Sequence, residues 1–317
     1  MYRHKGLLLL IFLMTVVMGV QIYRYYTEIH TEDESGRYHA VMLYSDTNMD
    51  ENQNICRQIA EAIEKNLAES HTAEISSYEV ENEKYISIDY KISSAILMDA
   101  DAVVIGGSDA ATVEAYQKLK EREIPFILVD GDLPESGRNA YVGIDNFESG
   151  RIGADFVVTL EENCFIAVIS PLTEEPPQSL ENRYQGFMEE IQKYENAEVL
   201  KYLDCSLDYQ TAYQRIKDFL FQNPKLNILY CTDSISGTAA MNAVLDSSMD
   251  HRVHILCYDQ TKQTAYGLAN GWIDGIIIQD TESIGKACAD ILEELAAGEK
   301  VTDKVVYVNS TMLTPEG

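Results

Sequence analysis

From residue 39 onward, short apolar runs alternate with amphipathic stretches, and that alternation limits what this chain can fold into more than any other feature. The runs are 39–44 (HAVMLY), 100–105 (ADAVVI), 125–129 (PFILV), 164–170 (CFIAVIS), 226–231 (LNILYC), 253–258 (VHILCY) and 275–279 (GIIIQ). Apolar spacing predicts helices over 54–67, 110–122, 148–160, 180–194, 209–221, 236–245, 262–269 and 283–297. A strand that is apolar throughout must be covered on both faces, which is the condition of a parallel sheet held between helices. The fold class is therefore α/β. In a chain of 317 residues, about ten strands suit two doubly wound lobes better than one long sheet, with a closed eight-stranded barrel as the competing arrangement.

Ahead of this pattern, residues 6–23 form an uncharged, mostly apolar run preceded by Arg3, His4 and Lys5. At ~1.5 Å per residue a helix here would be about 27 Å long, close to a hydrocarbon core of about 30 Å. Basic residues before the run predict a cytoplasmic tip and an exported body. Residues 1–30 thus read as a membrane anchor or a signal segment. Val17-Met18-Gly19 is a poor cleavage site beside a small-x-small pattern, which favours the anchor, with a cleaved, secreted or periplasmic body as the alternative. The chain carries 24 basic and 52 acidic residues, a formal charge of −28. Such a surface repels phosphate backbones, so nucleic acid is not expected as a partner. The six cysteines are scattered, without a C-x-x-C pair or Cys/His spacing for zinc, and Cys164, Cys231 and Cys257, inside apolar runs, read as small hydrophobes.

The residues that end the strands are the chemically informative ones. Six apolar runs end in a carboxylate: Asp46, Asp130, Asp145, Asp233, Asp259 and Asp280. In an open α/β sheet, ligands bind beyond the carboxyl ends of the strands, so these acids would converge on one cleft, at least three of them pointing into it. Asp is equally a preferred helix N-cap, and Asp145-x-x-Glu148 has capping-box spacing. Arg183 is the candidate donor fork and counter-charge. Asp130-Gly131-Asp132 superficially matches a phosphatase nucleophile motif but lacks the accompanying lysine and acids. There is no Gly-x-Ser-x-Gly elbow, P-loop, histidine cluster or nucleophile–base pair. A binder, not an enzyme, is expected, with no cofactor and no metal.

In order along the chain stand PFILVDGD (125–132), YVGIDNFESGRIG (141–153), NRYQGF (182–187), YCTDSISGTAA (230–240), LCYD (256–259) and GWIDGIIIQDTESIG (271–285). This set resembles the type I periplasmic binding proteins, in the branch shared by ribose- and galactose-type sugar-binding proteins and the cores of lactose-repressor-like proteins. A membrane segment stands where a repressor would carry its DNA-binding domain. The resemblance implies two lobes joined by a three-crossover hinge near 144/145, 279/280 and 303/304. Lobe one would be 38–144 plus 280–303, and lobe two 145–279 plus 304–317, with ligand held between them. It implies ligand contacts at Asp130, Asp145, Arg183, Asp259 and Gln279, with Asp46 or Asn48 from the first loop. Thr232 stands where asparagine is usual, Tyr209 replaces a stacking aromatic near Leu207, and Tyr258 keeps the aromatic of a Gly-Phe-Asp motif; Asp233 reads as a cap. The implied function is capture of a sugar or similar small polar ligand for an ABC importer. The alternative is a membrane-anchored sensor that signals to a receptor kinase without transport.

Overall fold

The central strands are apolar on both faces because each lies inside a sheet that has helices on both sides. In a computed structural model, residues 37–45, 55–80, 88–106, 113–171, 177–206, 208–250 and 252–315 are described. The first half runs β1 (Tyr38–Ser45), α1 (Ile55–Leu67), β2 (Ala73–Val80), α2 (Ile88–Leu97), β3 (Ala102–Gly106), α3 (Val113–Glu121), β4 (Phe126–Val129) and β5 (Ala140–Ile144). Next come α4 (Asn146–Val157), β6 (Cys164–Ser170), α5 (Gln178–Ile191), β7 (Ala197–Asp204), α6 (Tyr209–Gln222), β8 (Ile228–Cys231), α7 (Ser234–Asp246), β9 (His254–Tyr258), α8 (Lys262–Ala269) and β10 (Gly275–Gln279). The chain ends with α9 (Thr281–Ala296), β11 (Lys304–Val308) and β12 (Ser310–Leu313).

The strands form two six-stranded sheets, β11-β5-β4-β3-β1-β2 and β12-β10-β9-β8-β6-β7. The two orders are the same pattern repeated, so β4 of one lobe corresponds to β9 of the other and β5 to β10. Pairing is parallel through β1–β3, β3–β4, β4–β5 and β5–β11, and through β7–β6, β6–β8, β8–β9 and β9–β10. The exception is β12, which runs antiparallel to β10 with Gln279 opposite Ser310. In the second sheet, alternate residues feed opposite faces. Ile169, Leu229, Cys231, Ile255 and Cys257 pack on one side, and Val168, Ile228, Tyr230, Leu256 and Tyr258 on the other. All six cysteines are buried, and none is in a disulfide.

Three differences from the sequence expectation have physical causes. β2 (AEISSYEV) and β7 (AEVLKYLD) lie outside the expected runs because they are sheet edges, where polar residues alternate with apolar ones. The third passage between lobes falls at Asn309, not at 303/304, since β11 pairs with β5 in lobe one, from Lys304 opposite Ala140 to Val308 opposite Ile144. Residues 304–308 therefore belong to lobe one, and only β12 returns to lobe two. The sheets are also not wholly parallel. The apolar segment 6–23, with Asp46 and Asn48, lies outside the described residues. Among the described residues no helix is long and apolar enough to cross a membrane.

Candidate functional site

Asp130 follows β4 and Asp259 follows β9, which are equivalent strands of the two lobes. Both residues adopt left-handed backbone geometry, with φ of 67° and 63°. A non-glycine residue in that region is strained, and Asp is among the few that tolerate it. In each case the next helix begins several residues later, so neither carboxylate serves as a cap. Asp145, Asp233 and Asp280 do: each immediately precedes its helix and accepts backbone N–H groups of the first turn. The Asp145 Oδ1 takes both Phe147 N and Glu148 N at 3.0 Å. Of the five strand-end acids described, three are thus caps and two remain open; the sixth, Asp46, lies outside the described residues.

The open acids meet side chains from the other elements at the lobe junction. Gln279, the last residue of β10, donates its Nε2 to Asp130 Oδ1 at 2.8 Å, joining the lobes. Arg183 on α5 is 3% exposed. Its Nε donates to Asn146 Oδ1 (2.8 Å) and its Nη1 to the Thr232 carbonyl (2.9 Å). The guanidinium lies 4.0 Å over the Tyr258 ring, a desolvated cation–π contact. Asp259 Oδ2 is 3.8 Å from Nη1, an ion pair without a hydrogen bond. The Asp259 Oδ1 and Gln279 Oε1 atoms are buried and have no partner. Buried polar atoms are nearly always satisfied, so two orphans in one cluster set this junction apart.

Beneath Arg183 stands an aromatic column. Phe187 stacks on Tyr230 at 3.8 Å and Tyr230 meets Tyr258 edge-on at 6.2 Å. The Tyr258 hydroxyl lies 3.1 Å from both Ser149 Oγ and Tyr230 Oη. Helix α5 can hold Arg183 this close because α4 and α5 touch backbone to backbone at Gly150 and Gly186.

Residues 47–300 match the periplasmic binding protein domain family. The chain belongs to that family. It is a family of binding proteins and not of enzymes. No curated protein sequence matches the chain. Among solved structures, a sugar-binding protein of a sugar ABC transporter from Bacillus halodurans is 19% identical with a TM-score of 0.79, over 88% of this chain and 98% of that one. A solute-binding protein of an ABC transporter from Burkholderia graminis, in complex with D-arabinose, is 18% identical with a TM-score of 0.76, over 89% and 96%. A XylFII–LytSN complex is matched at 18% identity and a TM-score of 0.72, over 88% and 98%. These likenesses establish the two-lobed periplasmic binding protein fold.

Within this periplasmic binding protein domain, four residues expected at the ligand have other primary partners. Tyr209 opens α6, is exposed, and accepts from Asn242 Nδ2 at 3.0 Å. Asn242 is two turns along α7, about 12 Å from the strand end at 1.5 Å per residue. The Thr232 hydroxyl is turned inward onto Ser170 Oγ (2.9 Å), so Thr232 contributes its carbonyl to Arg183 and not its side chain to the cleft. Tyr258 supports Arg183 with its ring, and its hydroxyl points into the core. Asp145 caps α4 and lines a neighbouring interlobe cavity of about 290 Å³. Asp132, the second acid of the Asp-Gly-Asp motif, is held by Arg138. Sequence reasoning missed Asn146, 7% exposed, which orients Arg183. Its only sequence signal is its place directly after Asp145 in the IDN motif.

Burial pushes the Asp259 carboxyl up to about 6; Arg183 opposes that rise, Asp130 and Asp233 add to it, and a hydrogen bond from Gln279 lowers it. A carboxyl raised in the folded state contributes stability that is complete below its unfolded pKa near 3.9 and lost as pH rises through about 6. Asp259→Asn is therefore expected to melt higher than wild type at pH 7.5, with the difference closing as pH falls towards 4. Ligand donors need the ionised carboxylate, so wild-type affinity should fall as pH drops below about 6. Differential scanning calorimetry and titration calorimetry at matched pH test the two opposite trends. A melting difference independent of pH would show that Asp259 is not the titrating group.

Proposed function

We propose that this periplasmic binding protein captures a sugar or similar small polyhydroxylated ligand between its lobes, outside the cytoplasm, and delivers it to an ABC importer. The observation that carries this reading is the pair of buried, unpartnered acceptors, Asp259 Oδ1 and Gln279 Oε1, beside Arg183 at the lobe junction. Asp130, Arg183, Asp259 and Gln279 are the proposed ligand contacts, with Asn146 holding Arg183 in place and Asp46 and Asn48 completing the site from the first loop. Sugar hydroxyls donate to the carboxylates and accept from the guanidinium fork, and closure of the lobes traps the ligand. The sugar-binding roles named for the proteins of similar fold from Bacillus halodurans and Burkholderia graminis support the same reading.

A second reading is a sensor held at the membrane by residues 6–23, reporting ligand to a receptor kinase without transport. The similarity to XylFII in its complex with LytSN favours it, as does the apolar run itself.

Titration of the detergent-solubilised full chain with monosaccharides, polyols and amino sugars tests the shared part of both readings. A ligand at 100 times its Kd stabilises the folded state by about 2.7 kcal/mol, which calorimetry detects as a raised melting temperature. Absence of any shift across that panel would overturn sugar capture. Co-purification with a permease or with a kinase then separates transport from sensing.

A further inference from the structure

The donors and acceptors left open at the lobe junction constrain the ligand beyond its being polar. On the acceptor side, Asp259 Oδ1 and Gln279 Oε1 have no partner, and Asp130 has given one oxygen to the Gln279 amide. On the donor side most capacity is already used. The Gln279 amide gives one N–H to Asp130 and turns its other toward Asp259, the Thr232 hydroxyl is used on Ser170, and the Tyr258 hydroxyl is engaged with Ser149 and Tyr230. Arg183 has committed its Nε–H and one N–H of Nη1, so among these described side chains the second N–H of Nη1 and the two of Nη2 remain, fewer than the lone pairs open on Asp130, Asp259 and Gln279. A ligand hydroxyl donates one proton and brings two lone pairs that want donors of their own. An ammonium donates three protons and accepts none. A site with acceptors in excess therefore suits the ammonium.

Charge points the same way. Asp259 faces Arg183 from α5 at 3.8 Å, Asp130 from the loop after β4 and Asp233 from the start of α7. Asp233 is occupied as a cap, and Asp130 and Asp259 share one guanidinium. Of the buried cations of lobe one, Lys91 is engaged in contacts of its own and acts with Asp130 on the Cys56 thiol, and Arg138 is held by Asp132 and Asp303. Burial with two neighbouring carboxylates holds the Asp259 carboxyl up near 6, so the protein's own groups under-compensate its negative charge.

Resting on the reading that a polyhydroxylated ligand binds here, we propose that the ligand also carries a protonated amine, an amino sugar or amino polyol, with its ammonium against Asp259 Oδ1 and Gln279 Oε1. The amine takes the two orphan acceptors and neutralises the excess carboxylate, while the ligand's hydroxyls use Arg183 and the second oxygen of Asp130.

The test is titration calorimetry of the full chain at pH 7.5 with matched sets: glucose, glucosamine and N-acetylglucosamine, then the galactose and mannose series. In at least one set the free amine should bind 10-fold or more tighter than both its neutral parent and its N-acetyl form. Asp259→Asn, checked for folding by circular dichroism, should collapse that ratio to near unity. A neutral sugar that binds as well as or better than its amine would overturn the amine while leaving the sugar site intact. Binding by no member of any set would overturn the amine together with the sugar reading on which it rests. An amine preference that survives Asp259→Asn would overturn the placement of the ammonium.

Discussion

Arg183→Ala is expected to lower ligand affinity by on the order of 100-fold and to destabilise the ligand-free protein by about 3 kcal/mol. The two effects have separate origins. A charge-assisted hydrogen bond in a desolvated cleft is worth about 1.5–3 kcal/mol, and Arg183 is the buried guanidinium at the proposed ligand contacts. The stability cost comes from what the side chain holds together without ligand. Its loss leaves Asn146 Oδ1 and the Thr232 carbonyl without their donor, uncovers the Tyr258 ring, and removes the cation opposing the rise of the Asp259 carboxyl. Arg183→Lys should rescue little of either effect. An ammonium is a point charge on a flexible stem and cannot reach Asn146 and Thr232 together while lying flat on Tyr258. Titration calorimetry gives the affinity and urea denaturation of the ligand-free variants gives the stability. Wild-type affinity in either variant would remove Arg183 from the site.

The sequence made the framework legible where one residue reports one environment. Central strands such as FILV and ILYC are apolar on both faces and therefore stand out, whereas β2 and β7 are polar on alternate positions and do not. The passage at Asn309 was hidden because 304–313 is one extended run; its partner strands, not its composition, decide that β11 joins lobe one and β12 lobe two. At the site, the strand-end acids were visible but their division of labour was not. The distinguishing signal was the interval to the next helix. It is zero after Asp145, Asp233 and Asp280, which cap, and longer after Asp130 and Asp259, where Thr261 caps α8 instead. Asn146 could not be read as functional, since its partner lies 37 residues away on another helix. The repeated topology that makes Asp130 and Asp259 equivalents leaves no repeat in the sequence.

Gly186→Ala is the substitution expected to damage this site most from outside it. An added Cβ would stand 1.9 Å from the Phe147 carbonyl oxygen and 2.8 Å from its carbon, and at Gly150 it would stand 2.2 Å from the Arg183 carbonyl oxygen. Both obstacles are backbone, so no side-chain rotation relieves them and the α4–α5 pair must separate. In an exposed helix, Gly→Ala would stabilise by about 1 kcal/mol, so any net loss here measures the separation itself. Overpacking commonly costs about 1–3 kcal/mol, and a methyl driven into a buried main chain belongs at the upper end of that range or beyond it. The consequence reaches the ligand because α5 carries Arg183 one turn before Gly186, while α4 carries Asn146 next to Phe147. Moving the helices apart lengthens the Arg183–Asn146 hydrogen bond and lifts the guanidinium from Tyr258. Urea denaturation should show a loss of about 3 kcal/mol, and the folded fraction should bind ligand at least 10-fold more weakly. Destabilisation with wild-type affinity would mean that Arg183 is positioned by its own hydrogen bonds and not by the glycine contact between the helices.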